Sequence, residues 1–166
     1  MNPLDAVGFE FRRALITLDG SMVAEAILPV FLRLAYPLGM ELVLIRVVVP
    51  TVSPAAIDDT TPAREHTTPV MERKRKEAEE YLRAVAATPA FDGLRVVTTV
   101  RSGEAPHEII AAATEMQADV IAMTTHGRTG LRRLLFGSVV EAVLRTADVP
   151  VFVLRAAPVE AARRVA

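Results

Sequence analysis

Short β-branched apolar runs alternate with longer segments of helical period along almost the whole chain, and that alternation leaves few folds open. Arg13 to Asp19 is the first such run, and Gly20-Ser21 supplies a turn and a helix N-cap after it. From Met22 to Leu38, the apolar residues Val23, Ala26, Ile27, Val30, Leu34 and Leu38 stand three or four apart, as on one helical face. Pro29 falls inside this segment and is expected to kink or locally break it, and Gly39 closes it. Glu41 to Val48 is a nearly continuous β-type run, the pattern of a strand covered on both faces. Residues 49–69 carry Pro50, Pro54, Pro62 and Pro69 among serine, threonine and aspartate, and read as a long mobile loop.

Beyond that loop, Val70 to Ala87 places Met71, Ala78, Leu82 and Val85 at helical spacing among glutamate, lysine and arginine. It predicts an amphipathic helix whose charge run is its solvated outer face. Leu94 to Arg101 is a further strand, and Ser102-Gly103-Glu104-Ala105-Pro106 turns the chain into a helix over His107 to Met116. Val120 to Met123 predicts a strand, Ser138 to Thr146 a helix with Ser138 at its N-cap, and Val151 to Leu154 the last strand. Strands separated by helices of this length require right-handed crossovers. The expected fold class is therefore α/β, a doubly wound parallel sheet of five strands with helices on both faces.

The 166 residues fit a single domain, 1–166, with a core of about 12–155 and a tail over 156–166. A formal net charge of −1 argues against binding nucleic acid or a membrane surface through bulk charge, so any cationic patch must be local. The absence of cysteine excludes disulfides, thiolate nucleophiles and cysteine metal sites, and fits a cytoplasmic location. Asp5 and the lack of a basic region ahead of an apolar one argue against a signal peptide. The longest apolar run, Leu42 to Val49, is interrupted by Arg46 and falls far short of the ~20 residues that span a bilayer.

In an open parallel sheet, ligands lie beyond the carboxyl ends of the strands. Two features of the sequence fall there. One is Asp19, which either caps the helix beginning near Ser21 or accepts a hydrogen bond from an exocyclic amine or hydroxyl of a nucleotide. The other is the stretch Thr124 to Ser138, where Gly127, Gly130 and Gly137 punctuate a loop bearing Arg128, Arg132 and Arg133 before a helix start. Unpaired amides at a helix N-terminus attract anions, phosphate foremost, although spaced glycines and surface arginines also suit a plain solvated turn. The only lysines are Lys74 and Lys76, so a P-loop lysine is excluded in this loop. His126 orients a phosphate or holds the loop, while His66 and His107 have no metal-ligand spacing around them. No metal ligand and no catalytic residue is assigned.

Thr124, Gly127, the nine residues from Arg128 to Phe136, and Gly137-Ser138 reproduce the spacing Gly-x-x-Gly, nine residues, Gly-Ser, with threonine in place of the first glycine. Together with Asp19-Gly20-Ser21, Val47, and Gly103 with Pro106, this pattern resembles that of the universal stress proteins from about Arg12 to Arg155. The resemblance implies strand order 3-2-1-4-5, a Rossmann-like sheet related to the adenine nucleotide alpha hydrolases, and a homodimer joined through Val151 to Leu154. It further implies a regulatory stress-response protein that binds an adenine nucleotide, ATP foremost with Mg2+ accompanying it, and is not an enzyme. The implied site comprises Thr17, Leu18, Asp19, Val47, Met123, Thr124, His126, Gly127, Arg128, Gly130, Gly137, Ser138, Val139 and Val140. In it Asp19 and the backbone near Val47 hold adenine, Gly127 approaches ribose and phosphates, and Gly137, Ser138 and Val139 cradle the phosphates.

Thr124 departs from the family pattern by adding a branched Cβ and a hydroxyl where glycine leaves room. Val140 stands where some nucleotide-binding relatives carry threonine. These departures keep open a dimeric scaffold of the same family that binds no nucleotide. A slow ATPase is the other alternative, with His126 as the only base to name.

Overall fold

The computed structural model describes residues 11–50, 67–126 and 137–156. Strands β1 (Arg13–Thr17), β2 (Glu41–Val48), β3 (Arg95–Ser102), β4 (Val120–His126) and β5 (Val151–Ala156) form one parallel sheet in the order β3-β2-β1-β4-β5. Their apolar side chains alternate between two faces, and each face has its own core. On one side Ala14, Ile16, Leu42, Leu44, Val120 and Ala122 pack against α1 (Met22–Glu25), α2 (Ile27–Leu38) and α3 (Thr67–Ala86). On the other, Leu15, Val43, Ile45, Ile121 and Met123 meet α4 (Ala105–Glu115) and α5 (Ser138–Thr146). The doubly wound sheet and the strand order expected from the sequence are both present.

The segment 22–38 is two helices, and the break falls at Ala26, ahead of Pro29. Pro29 has no N–H to offer the carbonyl four residues back, at Glu25, so the chain tightens there and the Ala26 amide turns to the Val23 carbonyl at 3.2 Å. Pro37 is tolerated in the last turn of α2, which ends at Gly39 in the left-handed conformation with φ +60°. Helix α3 begins at Thr67, so Thr67, Thr68 and Pro69 belong to it and not to the loop expected over 49–69. Proline is well placed there, since first-turn amides lack intrahelical partners anyway. The remainder of that loop, 51–66, and the tail beyond Ala156 lie outside the described residues.

The amino ends of the strands are joined by side chains. Asp119 accepts the Arg12 and Arg13 amides at 2.7 Å each, and Glu41 pairs with Arg13 at 2.9 Å and with Arg95 at 3.7 Å on the neighbouring strands. Among the described residues the carboxyl ends carry no such closure, and they frame the cavity.

The two sheet edges differ. β3 exposes Arg95, Val97, Thr98 and Ser102, a mostly polar set, whereas β5 is Val151-Phe152-Val153-Leu154 with every one of these residues only half-buried.

Candidate functional site

A cavity of about 250 Å3 opens beyond the carboxyl ends of β1, β2 and β4. β1 delivers Thr17, Leu18 and Asp19 to it, β2 delivers Ile45 and Val47, and β4 delivers Met123, Thr124 and Thr125. Ala105 and Ile109 of α4 close one side, and Gly137 with the first turn of α5 (Ser138, Val139, Val140) closes another. Asp19 is the one ionisable side chain among these lining residues, set against apolar walls of Ile45, Val47, Ile109 and Met123.

Asp19 does not cap the helix. Its Oδ1 accepts the Ser21 amide at 2.8 Å, and Ser21 itself is the N-cap of α1, its Oγ accepting the Ala24 amide at 3.1 Å. This side chain to backbone turn fixes one carboxylate oxygen and leaves the other for a donor. Gly20 at φ +89° makes the reversal possible.

At the opposite end, the N-cap of α5 is Gly137, with extended backbone (φ −68°, ψ 157°) and no side-chain cap, and Ser138 is the first helical residue. The sequence placed Ser138 at the cap. The difference matters because a cap serine would spend its hydroxyl on the helix's own amides, whereas here no side chain among the described residues caps the first turn, which borders the cavity.

Thr124 lines the cavity, and its Oγ1 donates to the Ala24 carbonyl at 3.2 Å, which ties β4 to α1. With its proton so used, the hydroxyl offers lone pairs to a ligand. Thr125, one residue on and on the opposite face of the strand, is 1 % exposed, and its Oγ1 has no hydrogen-bond partner among the described residues. Thr125→Val, nearly isosteric, is expected to stabilise the protein by about 1 kcal/mol, because an unpaired buried hydroxyl costs about that much or more. Urea unfolding of the two proteins checks it.

Of the residues singled out in the sequence, Thr17, Leu18, Asp19, Val47, Met123, Thr124, Gly137, Ser138, Val139 and Val140 converge on this cavity. His126 is the last residue of β4, opposite Ala156. Gly127, Arg128, Gly130, Arg132 and Arg133 lie outside the described residues. Ala24, Ile45, Ala105, Ile109 and Thr125 were not foreseen. Ile45 had a signal, since it stands two residues before Val47 on the same face of β2. Ala105 and Ile109 are brought in by packing of α4 and carry no local mark.

The chain resembles characterised proteins over nearly its whole length. It is 32% identical over 145 residues to Universal stress protein MJ0531 of Methanocaldococcus jannaschii, covering 87% of this chain and 82% of that protein. The solved structure of MJ0577 from the same organism superposes with a TM-score of 0.73 at 23% identity, over 90% of this chain and 99% of that one. A universal stress protein from Archaeoglobus fulgidus, solved in complex with dAMP, superposes at 0.55 and 18% identity, over 87% and 98%. The Universal stress protein family model matches residues 10–155, and the chain belongs to that family.

Proposed function

We propose that the cavity binds an adenine nucleotide, ATP foremost, and that the protein is a cytoplasmic, homodimeric regulator of the stress-response type. The observation that carries this reading is the polarity of the cavity: a hydrogen-bond acceptor at Asp19, an apolar middle, and the uncapped N-terminus of α5 at the far end. An adenosine phosphate has the matching sequence of an exocyclic amine donor, a flat apolar ring and an anion. Its base fits between Val47 and Asp19, and its phosphates fit at Gly137, Ser138 and Val139. The dAMP complex of the Archaeoglobus fulgidus relative supports the same ligand class. Mg2+ accompanies ATP as counter-ion to its phosphates.

The role we assign is binding and not turnover, with nucleotide occupancy altering the surfaces offered to partners. β5 supports the dimer: it is an edge strand, apolar from Val151 to Leu154, and an edge of that character pairs readily with a second copy.

Isothermal calorimetry with ATP, ADP and AMP is expected to give saturable binding, and mass spectrometry of the denatured protein to find released adenine nucleotide. The absence of binding at millimolar nucleotide overturns the reading in favour of a scaffold that binds none, to which Thr124 and Val140 would then be the key.

A further inference from the structure

Behind the cavity, on the opposite face of the sheet, three side chains from three elements form a chain of contacts that ends on one turn. Arg46 lies between the cavity residues Ile45 and Val47 on β2 and therefore points the other way, toward α3. Its guanidinium carbon sits 5.1 Å from the centre of the Tyr81 ring. Tyr81 donates its hydroxyl to Glu25 Oε1 at 2.9 Å, and Glu25 is the last residue of α1. The same guanidinium packs on Gly20 so closely that a Cβ there would lie 3.0 Å from it. Gly20 joins Asp19 to Ser21, the residues whose mutual hydrogen bond aims the carboxylate.

We propose that Arg46, Tyr81 and Glu25 are positioning residues, a clamp on the turn 19–21 that holds the Asp19 carboxylate toward the cavity and sets its selectivity for a ligand bearing an amine donor. The specificity half of this rests on the nucleotide reading of the cavity.

Each contact has a separate function. The stacked cation lies against the backbone of Gly20 from below, in the space that a Cβ at that position would crowd. The phenol to carboxylate bond fixes the far end of α1, whose near end is fixed by Ser21 Oγ and whose Ala24 carbonyl is held by Thr124. The helix that follows the turn is thus held at both ends, and the turn itself is braced from one side. Burial and the bond to Glu25 both raise the Tyr81 pKa, so the phenol keeps its proton and its donor role throughout the neutral range.

AMP presents a 6-amino donor beside an N1 acceptor and IMP a 6-oxo acceptor beside an N1–H donor, so the ratio of their affinities reads how firmly an acceptor carboxylate is placed opposite the 6-position. Amide hydrogen exchange at Ser21 and Ala24 in the ligand-free protein reads the turn directly. Tyr81→Phe and Arg46→Met are expected to speed exchange at both amides and lower the AMP to IMP ratio by about fivefold, the scale of one lost hydrogen bond or cation–π contact. Arg46→Lys should recover part of both, since it keeps the charge, and Glu25→Gln should fall between Tyr81→Phe and wild type, because its amide oxygen still accepts from Tyr81 but without the negative charge. Wild-type exchange in both Tyr81→Phe and Arg46→Met overturns the clamp. Faster exchange with an unchanged ratio overturns its link to selectivity. A wild-type protein that binds neither AMP nor IMP overturns the nucleotide reading and the selectivity with it, while exchange still decides the clamp.

Discussion

Ser138→Asp is expected to stabilise the protein and to abolish nucleotide binding, two effects of opposite sign from one added charge. Ser138 opens α5, where the amides point outward without a side-chain cap. A carboxylate in a first helical turn interacts favourably with those amides by about 0.3–1 kcal/mol. The same carboxylate would stand where we place the phosphates. At ~5 Å and an effective dielectric of ~20, repulsion amounts to about 3 kcal/mol per pair of unit charges, so affinity should fall by at least about 100-fold. A thermal melt and a calorimetric titration of one preparation read both numbers. A variant that is more stable and still binds ATP normally would remove α5 from the site, and Ser138→Ala provides the uncharged comparison.

Ile16→Ala is expected to lower stability by about 3–4 kcal/mol, toward the upper part of the range for deleting a large aliphatic side chain from a core. Ile16 is fully buried and sits on the central strand, between Leu44 of β2 and Ala122 of β4. Helix α2 contributes Ile27, Leu28 and Phe31 to the same core. Strands hydrogen-bonded on both sides cannot move in to fill the space, so the cavity stays open and its cost is fully felt. Ile16→Val, which removes one methyl, should cost about 1 kcal/mol. Urea denaturation with an unchanged slope would assign the loss to the native core and not to a more compact unfolded state.

The fold was legible because strand and helix periods differ and because turns such as Gly20-Ser21 and Gly39 carry their chemistry locally. What escaped the sequence depended on partners far along the chain. β4 runs to His126, three residues beyond the apolar stretch, because Thr124, Thr125 and His126 pair with Leu154, Arg155 and Ala156. Nothing in Thr-Thr-His announces that. The short turn Pro89–Phe91 buries Phe91 and receives the Tyr36 hydroxyl on its Ala90 carbonyl, again a contact between distant segments.

The candidate site divides in the same way. Asp19, Val47 and Met123 could be read from their places near strand ends, and Gly137 with Ser138 from the helix start. The uses of Thr124 and Thr125 could not be, because they turn on which face each threonine takes and on the Ala24 carbonyl a hundred residues away in sequence. Arg46 was visible only as an interruption of an apolar run; its contacts with Tyr81 and Gly20 require the folded sheet.

β2 gives those contacts a last consequence. Successive residues on this strand have unlike tasks: Leu44 fills one core, Ile45 and Val47 wall the cavity, and Arg46 braces the turn from behind. A slip of one residue would send the guanidinium into the apolar cavity and a valine to the tyrosine ring, reversing inside and outside while leaving length and composition unchanged. What this strand must preserve through insertion or deletion is its parity. Losing two residues would cost it reach, but losing one would invert its meaning.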